Sequence, residues 1–238
     1  MKKAELSPKN VSEILKNDHT LCIKRINLYF GPFETRTNKK TGDGWTGSFF
    51  EKYSERSDRE CFDGNDVSAA ISLSIRGEGY WVASLLNENE NIDLSCFSDL
   101  PYETCISDVP KDFFDKPGIS QVIEQLLNIS GIALVIASKR PHLFPIFDGD
   151  VSGFFGVPMP NYKIPNYKKC ATYLAWCKSW QKVVSDPEVK KELENIRTNT
   201  SVKPNEQISS LRILDAIFWL DGKIKDANGK PEVLRTTL

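Results

Sequence analysis

Histidine is nearly missing from this chain: His19 and His142 are the only two in 238 residues. Neither stands at ligand spacing from another candidate ligand, and none of the six cysteines (22, 61, 96, 105, 170 and 177) forms a Cys-x-x-Cys pair. A metal site is therefore not expected, and no cofactor motif replaces one. Also missing is any apolar run near the length of a bilayer span, so no membrane insertion is expected. No apolar stretch follows the basic start Met1-Lys2-Lys3, which argues against a secretory leader. Thiols without a leader point to reduced cysteines and a cytoplasmic protein. The net charge of −1 gives no global attraction to nucleic acid or anionic lipid. Internal repeats and low-complexity tracts are absent, which excludes a solenoid.

What is present is helical periodicity. Alternating segments are scarce, while apolar residues recur at three- and four-residue spacing. The pattern predicts helices over 10–17, 21–30, 67–75, 80–86, 119–129, 166–184, 187–197 and 205–220, and the short apolar run 132–137 is also read as helix. Asp186-Pro187 supplies an N-cap and a first-turn proline. The expected fold is all-α: a single helical domain over 1–238, with a loop-rich insertion at about 34–60 and an acidic loop segment at about 87–117. Residues 87–115 carry eight acids against Lys111 alone, and 161–203 carry nine bases against four acids. Such asymmetry marks either interaction faces or ordinary solvated surfaces.

The most informative run is Ala137-Ser138-Lys139-Arg140-Pro141-His142-Leu143-Phe144-Pro145-Ile146-Phe147-Asp148. Its prolines stop the preceding helix. Asp148 then stands where a new helix can start, and it reads either as an N-cap or as a catalytic carboxylate. Lys139 and Arg140 either clamp phosphates or stabilise a helix C-terminus. Arg212 and Asp215, three apart on a largely apolar helix, read as a buried ion pair or a site. Tyr167, Tyr173, Trp176 and Trp180 recur near helical spacing, fit for core packing or base stacking.

The segment from Phe144 to Val151, with Phe155-Gly156 beyond it, resembles the end of the helix-hairpin-helix DNA glycosylase core. There an aspartate, matched by Asp148, opens a helix closed by a Leu-Gly or similar pair. The run from Lys139 to Asp148, with Leu211-Arg212-Ile213-Leu214-Asp215 and Trp219, also resembles an uncharacterised bacterial family with a Lys-Arg-Pro-x-Leu-x-Pro-Ile-x-Asp signature. Here Gly131-Ile132-Ala133 stands where the glycosylase hairpin carries Gly-x-Gly. The resemblance therefore implies a degenerate glycosylase-like fold associated with DNA, contacted through Lys139, Arg140, Lys168 and Lys169. The alternative expectation is a non-catalytic protein-interaction component of a bacterial regulatory or antiviral system, with the acidic segment as its partner site.

Overall fold

A computed structural model of the chain describes residues 4–31, 48–72, 79–88, 92–130, 135–158, 164–201, 208–223 and 228–235. These hold eleven α-helices and two short 3₁₀ turns, Ser95–Phe97 and Phe113–Asp115, and no β-strand. The all-α expectation is met. Much of the insertion expected at about 34–60, the end of the helix expected over 67–75 and the first part of the apolar run 132–137 lie outside the described residues. No helix among the described residues is long and apolar enough to cross a membrane.

The chain divides into two compact units, each assembled from separated segments. Unit 1 comprises Met1–Trp45, Phe147–Met159 and Ser179–Leu238; unit 2 comprises Thr46–Ile146 and Pro160–Lys178.

Unit 1 begins with α1 (Pro8–Asn17) and α2 (His19–Phe30). Ser7 starts α1 by accepting from Asn10 N, with Pro8 in the first turn, where its missing N–H costs nothing. The unit continues with α8 (Gly149–Phe154), the last turns of α9 (Asn166–Ser185), α10 (Pro187–Asn199) and α11 (Ser210–Trp219). Asp186 caps α10 through Glu188 N at 3.0 Å and Val189 N at 3.2 Å. Helix α11 starts at Ser210, later than the spacing predicts, because Ser209 accepts the Arg212 N–H at 3.2 Å and fixes the first turn. Every residue from Leu211 to Phe218 is buried, so α11 forms the spine of the unit. Phe218 meets Phe155 at 4.7 Å and Phe154 at 5.0 Å between ring centres, and Trp180 closes on Phe155 at 5.8 Å.

Two buried cations tie this unit together. Arg25, with no exposed surface, donates to Ile217 O at 2.6 Å, to Asp221 Oδ1 at 3.0 Å and to Glu232 O at 3.0 Å. Asp221 also accepts from Leu234 N at 2.7 Å, and Asp18 accepts from Arg235 N. The C-terminal residues are thereby laid against α2. Gly222, at φ +73°, makes the reversal that lets its N–H reach Glu232 O at 3.0 Å. Arg212 pairs with Asp215 and donates to Tyr29 Oη at 2.7 Å.

Unit 2 holds α3 (Ser48–Ser54), α4 (Gly64–Ser72), α5 (Gly79–Glu88), α6 (Pro117–Ser130), α7 (Ile136–Lys139) and the first part of α9. Helix α3 lies inside the tract read as loop, with Phe50 fully buried. Its polar flanks hid a single buried face too short to register as a period. Residues 92–116 run as turns anchored by Phe97, Phe113 and Phe114. Phe144 stands at the centre of the unit, 5.7 Å from Phe97, 5.8 Å from Phe114 and stacked on Tyr173 at 6.4 Å. Tyr173 Oη donates to Pro145 O at 3.0 Å, and Trp176 Nε1 to Ile146 O at 3.2 Å. These two aromatics satisfy carbonyls of the proline-rich run, which no helix pairs.

Replacing Arg25 by Met keeps the bulk but leaves Asp221 and two carbonyls without their donor. The expected loss is about 3–5 kcal/mol, read as a lower urea midpoint.

Candidate functional site

The Lys-Arg-Pro run sends its two cations to different places. Helix α7 ends at Lys139; Arg140 caps it with its N–H on Ile136 O at 3.1 Å, and Pro141 prevents continuation. Leu143 N and Phe144 N both return to Arg140 O at 3.0 Å, which locks the turn. Successive side chains on such a corner diverge.

Lys139 points inward and is 1% exposed. Its Nζ meets Asp66 Oδ2 at 2.5 Å and donates to Asp58 O at 2.5 Å. Ser138 Oγ donates to the other oxygen, Asp66 Oδ1, at 2.7 Å. Burial pushes the Asp66 carboxyl up from its ordinary value, and the Lys139 charge opposes that rise. Asp66 is in turn held by the loop before α4: Asp63 N donates to Asp66 Oδ2 at 2.8 Å, while Asp63 Oδ1 accepts from Asn65 N at 2.7 Å and Asp66 N at 3.2 Å.

Arg140 points into a cleft of about 670 Å³ in unit 2. It is 7% exposed, donates through Nη1 to Lys139 O at 3.0 Å, and has no partner on Nε. No carboxylate among the described residues pairs with it. Its company is aromatic: the guanidinium carbon lies 5.6 Å from the Phe97 ring centre and 6.0 Å from that of Tyr102. Arg59, exposed, lays its own guanidinium over the Tyr102 ring at 3.1 Å. Burial, and then the neighbouring charge of Arg59, lower the Arg140 pKa.

The loop carrying Arg59 is stiffened by Asp58, whose Oδ1 accepts from Glu60 N at 2.8 Å and Cys61 N at 3.3 Å. Those two bonds hold the Asp58 carboxyl below its ordinary value. Residues within Ile92–Tyr102 supply much of the remaining lining, and there Asp93 Oδ1 accepts from Ser95 N at 2.9 Å. The acidic segment is thus partly a wall of this cleft. Two guanidiniums thus flank a tyrosine ring, and the buried one has no carboxylate within ion-pair distance among the described residues, a chemistry suited to an anion.

The sequence of residues 23–222 matches a family described as "Family of unknown function (DUF6308)". The chain belongs to the DUF6308 family. Arg59, Tyr102 and Arg140 all fall within the matched span. No curated protein and no solved structure matches this DUF6308 member.

The other sequence-predicted residues of this DUF6308 chain are placed as follows. Asp148 lies in unit 1 and opens α8, its Oδ1 accepting from Val151 N at 2.8 Å. Burial raises its carboxyl pKa, and the charge of Asp150 adds to the rise. Arg212 and Asp215 do pair, wholly inside unit 1. Lys168 and Lys169 occupy the first turn of α9 in unit 2, exposed and half-buried respectively, with Lys168 Nζ 6.0 Å from the Tyr167 ring centre. Tyr167 is 60% exposed, whereas Tyr173, Trp176 and Trp180 are buried in the cores. Lys139, consumed by Asp66, is not a surface cation, so the expected basic face loses it, and Arg140 is 7% exposed and lines the cleft. Sequence reasoning missed Arg59 and Tyr102, which sit in tracts read as loop. Their pairing spans forty-three residues and leaves no local pattern.

Two outcomes are expected. Asp66→Ala leaves a buried lysine without its acid and should cost about 3–5 kcal/mol by urea unfolding, while the joint change Asp66→Leu with Lys139→Met should recover most of that loss. For Asp148, a folded pKa above its ordinary 3.8 means the native state holds the proton more tightly. Its contribution to stability therefore falls as pH rises from 3.8 through the folded value. Asn caps about as well as Asp and does not titrate, so Asp148→Asn should gain in melting temperature relative to the native protein between about pH 3 and about pH 7.

Proposed function

We propose that this protein binds a phosphate-bearing ligand in the unit 2 cleft, and that its association with nucleic acid is through this cleft rather than through a basic surface. The observation that carries the reading is Arg140. A guanidinium taken from water without an acid is a cost to the fold. The two rings and one carbonyl offset only part of it, at about 0.5–2 kcal/mol for each cation–π contact. A charge kept at such cost, facing a cleft beside a second guanidinium, is suited to an incoming anion. Arginine forks match phosphate oxygens in pairs, and the low dielectric of the walls strengthens the contact. The resemblance to the helix-hairpin-helix glycosylase core supports phosphate as the anion. Asp148, held on its own helix, is assigned to capping in this reading, and no chemical step is ascribed to it.

The test is thermal unfolding in phosphate against chloride at equal ionic strength. Phosphate should raise the melting temperature of the native protein; at a hundred times Kd the gain is about 2.7 kcal/mol. Arg140→Met should melt no lower than the native protein in chloride and should lose the phosphate-dependent rise. A variant that melts far lower would make Arg140 a structural cation and end the reading. A phosphate response that survives in Arg140→Met would place the anion elsewhere.

A further inference from the structure

We infer that the ligand of the cleft is a single nucleotide unit, a base and sugar carrying one phosphate, rather than a duplex; this rests on the phosphate reading above. Four features of the lining support it. The first is size. A volume of about 670 Å³ lies within the range of small-ligand sites, about 300–1,000 Å³, and is far too small to admit a double helix.

The second is the order of surfaces within the cleft. Arg59 and Arg140 form a cationic end around Tyr102. Ile92, Leu94, Phe97 and Leu100, from the stretch that also carries Tyr102, add an apolar wall. A ligand that meets both kinds of surface must carry an anion and a flat or apolar body. A phosphate alone leaves the wall wet.

The third is the acid in the lining. Glu60 and Asp93 border the same cleft, and Ser95 and Ser98 add hydroxyls. A carboxylate repels phosphate, so these acids are misplaced for a phosphate-only site. They are well placed for hydroxyl or amino donors: carboxylates accept from ribose hydroxyls and from the exocyclic amines of bases. Asp93 is held as an acceptor at this border by Ser95, through its N–H at 2.9 Å and its hydroxyl.

The fourth is the surrounding charge. The segment 87–115, which supplies the wall, holds eight acids against one base. A duplex brings one negative charge about every 1.7 Å and would run its flanking phosphates along that acidic ground. A monophosphate keeps its charge at the arginines and escapes the repulsion.

The experiment is calorimetric titration of the full chain with nucleoside 5′-monophosphates, ribose 5-phosphate, inorganic phosphate and a short DNA duplex. The expected result is a monophosphate bound at least about tenfold tighter than inorganic phosphate, with the duplex weakest. Leu94→Ser, at a half-buried wall position, should remove the advantage of the nucleotide over inorganic phosphate while leaving phosphate binding in place. Phosphate binding with no gain from the base, or a gain that Leu94→Ser leaves unchanged, overturns this inference and leaves the phosphate reading standing. A duplex that binds tighter than the monophosphates also overturns it. Failure of every ligand, inorganic phosphate included, removes the phosphate reading itself.

Discussion

A cation held away from water must find oxygen or an aromatic face, and this constraint organises both units. The described residues contain four buried cations: Arg25, Lys139, Arg140 and Arg212. Arg25 finds two backbone carbonyls and Asp221. Arg212 finds Asp215 and Tyr29. Lys139 finds Asp66 and Asp58 O. Each of these three fixes elements far apart in sequence, because a buried charge tolerates only one arrangement of its acceptors. Arg140 is the exception, with rings and a single carbonyl in place of an acid. The contrast within one chain separates cations that hold the fold from one that waits for something else.

The local part of this fold was legible in the sequence. Apolar spacing located the long helices, and Asp186-Pro187 marked the start of α10 because a cap and a first-turn proline act within four residues. The Arg212–Asp215 pair was legible for the same reason, since three residues bring two side chains to one helix face. Where an outcome depended on distant partners, local reading went astray. Adjacent Lys139 and Arg140 read as phosphate clamps or as cations at a helix C-terminus; both do stand at the end of α7, but distant partners divide their side chains, one to Asp66, seventy-three residues earlier, and the other to the lining of a cleft. Helix α3 carried too few turns to show a period.

The cleft itself was not legible at all. Its cationic end joins Arg59, from a loop between two helices, to Tyr102, from a segment whose plainest feature is negative charge. Nothing in either tract marks the other. The signal lies instead in the surroundings of Arg140, where the described residues bring rings and one carbonyl but no paired carboxylate. The acidic character read along 87–115 kept its relevance, since part of that segment lines the cleft with the arginines.

The division of the chain into segments also sets an order of assembly. All residues of unit 2 have been synthesised by Lys178, whereas unit 1 awaits residues well beyond it. Arg25 is made 192 residues before Ile217 and 207 residues before Glu232, whose carbonyls receive its guanidinium. Domains fold as units while the chain emerges. All residues that line the arginine cleft are therefore made while α1 and α2 still lack the spine they close upon. Residues 232–235, which lie along α2, emerge later than the spine and are the clasp for helices that until then have no permanent home.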